Sequence, residues 1–267
     1  MAKKRNWQRP LSRREMLGLL GAAGVMAVVG CGDDEQPPSG EATSTPAQPV
    51  SGAATTTPSV AATTSATPEP VACVLTAALT EGPYFVDERL NRSDITSDPT
   101  DGSIKEGVPL RLSLTVSSVE GAACTPLVGA LVDMWHCDAL GVYSDVSGAG
   151  QPDTTGQKFL RGYQITDENG QVEFQTIYPG WYSGRTIHIH FKVRTDPDSQ
   201  QGLEFTSQLF FDETTTNAVL SREPYSQNGT PDTSNAADNI YQPDLVLPLT
   251  ADGEGYTAAF HLGVSTA

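Results

Sequence analysis

The sequence predicts an all-β fold: one antiparallel β-sandwich over residues 73–267, preceded by a signal and a disordered linker. Two observations point to it. After residue 73 the chain contains eight runs of strand length separated by turn material. No segment carries a long apolar stripe at the helical period of about 3.6 residues.

The clearest run is "VPLRLSLTVSS", which sets Leu110, Leu112, Leu114 and Val116 on one face and Arg111, Ser113, Thr115 and Ser117 on the other. "LVGALVDMWH", "FLRGYQIT", "QVEFQTI", "TIHIHFKV", "FTSQLFF", "DLVLPL" and "YTAAFHLGV" follow. Turn material such as "DENG" and "ADGEG" lies between them. "VDERLNRSDITSD" and residues 212–241 read as long loops, the usual place for a site on a sandwich.

Residues 1–31 read as a Tat-type lipoprotein signal peptide. Arg13 and Arg14 precede an apolar run from Met16 to Gly30 that is short for a membrane span. "VVGC", ending at Cys31, resembles a lipobox, whose Cys is acylated after cleavage. An N-terminal anchor that is never cut is the plain alternative. Residues 32–72 are rich in Pro, Ser, Thr and Ala and too poor in apolar side chains to offset chain entropy, so they read as a disordered tether. The expected location is the cell envelope, with a domain held outside a bacterial membrane by a lipid on Cys31 alone.

The formal charge of the chain is −16. Without residues 1–31, ten basic and thirty-one acidic residues remain, a charge of −21. Such a surface repels nucleic acid and anionic lipid. With Cys31 assigned to lipid, Cys73, Cys124 and Cys137 allow one disulfide and one free thiol. Cys73–Cys124 is the expected bridge, stapling the end of the tether to a strand; Cys124–Cys137 is the alternative.

Two of the four His residues sit together in "TIHIHFKV". On a strand His188 and His190 share a face with Thr186 and Lys192, opposite Ile187, Ile189, Phe191 and Val193. A half-buried strand then aims two imidazoles at one point, as a metal ion needs; a polar surface strand is the bland alternative. Tyr182 lies just upstream across a Pro-Gly turn, and Tyr143 closes "WHCDALGVYSD". Each Tyr alone is more often an aromatic packed at a sheet edge. Two phenolates and two imidazoles together suit a ferric ion, whose charge favours the phenolate form.

"LTEGPYFVD", "VGALVDMWHCDALGVYSD", "FLRGYQITDENGQVEFQTIYPGWYSGRTIHIHF" and "FTSQLFF" resemble the intradiol ring-cleavage dioxygenases, the protocatechuate and catechol enzymes and above all their exported, stand-alone relatives. The resemblance implies non-haem Fe(III) held by Tyr143, Tyr182, His188 and His190, with Arg185 and Gln208 beside the substrate. It implies cleavage of a catechol-type ring by O2 to a muconate-type diacid, with Tyr182 displaced as a proton acceptor. Arg185 then stabilises the ketonised ring, and Gln208 orients substrate or oxygen. The catechol enzymes dimerise through a helical N-terminal segment; here a Pro/Thr-rich tether stands in its place, which leaves the oligomeric state open. His136 is expected to be structural or to lie behind the ligands, and His261 to be ordinary surface or core.

A cupin site also uses His-x-His, but its spacing wants Gly and Glu where this chain has Tyr182 and Arg194 or Thr195. The remaining alternative is a secreted β-sandwich that binds aromatic or cell-wall material around a non-catalytic metal.

Overall fold

Strand β1 (Pro109–Glu120) shows in its own burial the alternation read from its sequence. Leu110, Leu112, Leu114 and Val116 are buried, while Arg111 is exposed. Each such side chain contributes roughly 1.5–3 kcal/mol by leaving water. The computed structural model describes residues 74–148, 150–198 and 201–266. The signal, the Cys31 lipobox, the tether and Cys73 lie outside the described residues.

The other strands are β2 (Ala123–Pro126), β3 (Leu131–Trp135), β4 (Arg161–Ile165), β5 (Gln171–Ile177), β6 (His188–Arg194), β7 (Glu204–Phe210), β8 (Thr250–Asp252) and β9 (Gly255–Val264). One sheet runs β2-β1-β9-β8, with β5 also paired to β1; the other runs β4-β3-β6-β7. Apolar faces of both sheets meet in the main core, which includes Leu112, Phe174, Ile189 and Phe191.

The expectation of an antiparallel sandwich needs correction. β1 and β9 pair in parallel, from Leu110 opposite Tyr256 to Ser118 opposite Val264, while the other strand pairs are antiparallel. A parallel pair needs a long connection, and most of the fold lies between these two strands.

Two local expectations also fail. "DLVLPL" forms no strand: Pro243–Leu245 is a 3-10 turn, followed by a single bridge between Val246 and Phe210. Pro243 and Pro248 supply no N–H to a ladder. Within the expected loop 212–241, α1 (Glu213–Leu220) is helical, capped where Thr215 N donates to Asp212 Oδ1 at 2.8 Å. Three consecutive Thr residues are weak helix formers, so burial of Val219 and Leu220 decides the matter.

β6 was expected to be half-buried, yet all seven of its residues are buried. The segment before β1 covers its outer face. Leu79 N donates to Thr206 O (3.0 Å), and Ser207 Oγ donates to Ala77 O (2.6 Å). Lys192 pairs with Glu81 and Glu204, and Arg194 with Asp87 and Asp133. These partners are what make two buried cations tolerable. A second aromatic cluster of Tyr84, Trp135, Cys137 and Tyr143, flanked by Phe85, Val146 and Tyr182, forms under that cover.

Candidate active site

Strand register assembles the floor of the site. Trp135, His190 and Gln208 stand opposite one another across β3, β6 and β7. His188, two residues earlier on β6, shares the face of His190. Both imidazoles therefore point away from the main core into the aromatic cluster. His188 Nε2 lies 3.0 Å from His190 Nε2.

The two tyrosines arrive on loops that touch. Asp138 Oδ1 accepts from Leu140 N and Val142 N, both at 3.0 Å, and folds the turn after β3. Gln151 Oε1 accepts from Tyr143 N at 3.1 Å, and Thr154 Oγ1 donates to Tyr143 O at 2.7 Å. Tyr84 stacks on the Tyr143 ring, with centroids 4.5 Å apart. Gly141, at φ +81°, and Gly180 let the two loops meet: a Cβ on either would run into backbone of the other loop. Tyr182 Oη consequently stands 3.2 Å from His188 Nε2, and its ring packs edge-on to that of Tyr143, with centroids 5.6 Å apart.

The electrostatics are those of a waiting donor set. His188 Nδ1 lies 2.7 Å from the carbonyl of Thr186, which can only accept, so the proton sits on Nδ1 and the Nε2 lone pair faces Tyr182 Oη and Arg185 Nη1. Burial, with help from Arg185, pushes the His188 pKa down to about 3. Burial and then the neighbouring His188 hold His190 well below its usual range. Burial raises both phenols; Tyr182 adds to the rise at Tyr143, while Arg185 counters it at Tyr182. All four groups are neutral in the absence of a cation.

Among the described residues Tyr143 Oη is buried without a well-formed hydrogen bond, although the Tyr182 phenol stands beside it. His190 Nδ1 is also unpartnered. Stacking on Trp135 orients that ring instead, with centroids 4.9 Å apart and planes 7° from parallel. No cluster of three or more His, Cys, Asp or Glu residues suited to a metal occurs among the described residues, so a cation here would draw on phenols. Two converging imidazole nitrogens, an orphaned buried phenol and a second phenol at their edge fit a hard trivalent cation.

Arg185 flanks the donors. Its Nη1 is 3.4 Å from His188 Nε2, its Nη2 donates to Gln208 Oε1 at 2.6 Å, and its Nε donates to Asp238 Oδ2 at 2.8 Å. Gln208 Nε2 donates to Thr80 O at 2.8 Å. Burial raises the Asp238 carboxyl, but hydrogen bonds from Ile240 N, Arg185 and Thr186 N outweigh it and leave the pKa below its usual value. The six residues singled out in the sequence thus meet in one place.

Tyr84, Trp135 and Asp238 carried no functional expectation in the sequence. Trp135 had a signal, since it precedes the expected structural His136 on the same run. Asp238 had none. His136 is fully buried, with Nδ1 2.8 Å from Cys137 O and Nε2 2.6 Å from Thr176 Oγ1. His261 is half-buried on β9, 2.8 Å from Ser117 Oγ. Cys124 is disulfide-bonded and Cys137 is a buried free thiol, which excludes Cys124–Cys137.

Residues 80–219, just over half of the chain, match the family model described as Dioxygenase. The chain belongs to the intradiol ring-cleavage dioxygenase family. An intradiol ring-cleavage dioxygenase from Tetranychus urticae is 30% identical, with 72% of this chain and 95% of that one covered and a TM-score of 0.61. The dioxygenase domain of a dioxygenase carbohydrate-binding protein fusion from Streptomyces sp. SirexAA-E is 29% identical. That match covers 73% of this chain and 100% of that one, at a TM-score of 0.52. Chlorocatechol 1,2-dioxygenase of Rhodococcus opacus is 29% identical over 135 residues, 43% of this chain and 50% of that protein. The chain spans about half the length of such catechol-cleaving relatives.

Proposed function

We propose that the protein is a non-haem Fe(III) intradiol dioxygenase that cleaves a catechol-type ring with O2 to a muconate-type diacid. Both oxygen atoms enter the product, and the bond between the two hydroxyl-bearing carbons breaks. The observation that carries the reading is the gathering of Tyr143, Tyr182, His188 and His190 in mutual contact beside Arg185 and Gln208. Those first four residues would hold the iron. When bound, ferric iron supplies Lewis acidity that favours the catechol dianion and an electron-rich ring.

The side chains divide the remaining work. Tyr143 is fully buried and pinned at its backbone, so it stays in place. Tyr182 is only partly buried and sits on the loop before β6; as the phenolate that a bound cation would favour, it would use its Oη to take a proton from an incoming hydroxyl. Arg185 directs Nη1 to the same point, where positive charge stabilises negative charge developing on the ring. Gln208, held by Arg185 and Thr80, orients substrate or oxygen by hydrogen bonding. Tyr84, Phe85 and Trp135 keep water from the buried side of the donor set.

We also propose that the protein is exported and anchored to a bacterial membrane only by a lipid on Cys31, the role read from the "VVGC" sequence. The decisive experiment combines an iron assay, the visible spectrum and oxygen uptake with catechols. Stoichiometric iron, a red-brown phenolate-to-iron band and one O2 consumed per catechol are expected. Iron and catechol binding without oxygen uptake would make the protein a binding module instead.

A further inference from the structure

We propose that the loop of residues 229–241 templates the turn presenting Arg185, and that Asp238 is the positioning residue for its guanidinium; the inference rests on the dioxygenase reading above. Three side chains spaced three residues apart grip four consecutive residues of that turn. Asp232 accepts from Ser183 Oγ (2.6 Å) and Gly184 N (2.9 Å). Asn235 Oδ1 accepts from Thr186 Oγ1 (2.5 Å). Asp238 Oδ2 accepts from Arg185 Nε (2.8 Å) and Thr186 N (2.9 Å), while its Oδ1 accepts from Ile240 N (2.8 Å). Gly184, at φ +85°, supplies the left-handed position such a tight turn requires.

The grip divides the guanidinium by function. A carboxylate commonly takes an arginine in a two-pronged pair that occupies a terminal nitrogen. Here Asp238 engages Nε alone, Gln208 takes Nη2, and Nη1 is left facing His188 Nε2 at 3.4 Å. The Asp238 side chain is 2% exposed, so water does not screen the pair as it would on a surface. The carboxylate thereby selects which nitrogen reaches a substrate, without touching the substrate itself.

The test compares Arg185→Leu, Asp238→Ala, Asp238→Glu and the Arg185→Leu/Asp238→Ala double variant at equal iron content. Asp252→Asn, which removes a carboxylate from an exposed pair on the other sheet, is the control. For Asp238→Ala, kcat falls about 10–100-fold with KM within a few-fold, the scale of a misplaced catalytic group. Asp238→Glu recovers part of this, the double variant is no slower than Arg185→Leu, and Asp252→Asn keeps the wild-type rate. In protein loaded with diamagnetic gallium(III), the Arg185 Nε–H signal exchanges slowly in the wild type and fast in Asp238→Ala. A wild-type rate in Asp238→Ala overturns the inference. So does loss of its iron, or a double variant slower than Arg185→Leu by the full Asp238→Ala factor. If the wild type consumes no oxygen with any catechol, the dioxygenase reading fails, and the Nε–H exchange alone decides whether Asp238 positions Arg185.

Discussion

Trp135 lies flat on His190, with ring centroids 4.9 Å apart and planes 7° from parallel. Because His190 Nδ1 has no hydrogen-bond partner among the described residues, this stack and the approach of His188 Nε2 to within 3.0 Å of its Nε2 set the angle of the imidazole. An aromatic pair of this kind contributes about 0.5–1.5 kcal/mol beyond its burial. Trp135→Leu should therefore weaken iron retention about tenfold, read as faster loss to a chelator. Trp135→Phe should lie between the two.

The two phenols should separate on mutation. Tyr143→Phe and His188→Ala should abolish stoichiometric iron and colour while near-native circular dichroism persists, since neither side chain belongs to the main core. Tyr182→Phe, altering the partly exposed phenol, should keep part of the iron with a shifted visible band. Full iron in Tyr143→Phe would mean that the ligands are misassigned.

Arg185→Leu should keep iron and still bind a catechol with a colour change, while turnover falls about 10²–10³-fold, the scale for losing one preorganised donor. Lys should rescue only partly, because a point charge lacks the planar fork that meets Asp238 and Gln208 together. Oxygen uptake at wild-type rate in the Leu variant would leave the residue outside the mechanism.

His136 should make the fold acid-labile. Burial pushes its pKa down from 6.5 to about 4. The neutral ring is thus favoured by folding, and this stabilisation is present above pH 6.5 and lost as pH falls toward 4. At about 1.36 kcal/mol per pKa unit the loss is about 3 kcal/mol. Urea unfolding across that range should show it, and His136→Gln should flatten the slope. An unchanged slope in that variant would assign the acid sensitivity to other groups.

Non-reducing peptide mapping should find Cys124 in a bridge and Cys137 alone. If the partner is Cys73, the closed loop of roughly fifty residues stabilises by about 4 kcal/mol in the chain-entropy model. Cys124→Ser should lower the urea midpoint accordingly, and an unaltered midpoint would show that the bridge is dispensable.

What was legible in the sequence is what short-range pattern encodes. Alternation located β1, and two imidazoles at a spacing of two, within nine positions of Tyr182 and Arg185, marked the site. Tyr143 entered as a second phenol that a hard cation would want, and Gln208 only through the family resemblance, since neither pairs with the His residues through any local period. The cover over β6 comes from residues more than a hundred positions earlier, and nothing in "TIHIHFKV" announces it. α1 was hidden by its Thr run, and the parallel course of β9 by a strand pattern that carries no direction. Asp238 was hidden for a different reason: an acid in a polar loop looks like any other until the loop folds back on Arg185.

The parallel pairing of β1 with β9 has a consequence for how the polypeptide comes off the ribosome. Residues 109–120 are made early, but one edge of that strand keeps its ladder groups unpaired until residues 255–264 emerge. A nascent or truncated polypeptide ending before Gly255 would present an open, apolar-backed strand edge of the kind that recruits other chains. Acquisition of the native state is therefore tied to completion of synthesis through β9, and pulse-proteolysis of stalled chains should show protection arising abruptly once that strand is free, rather than growing in steps with length.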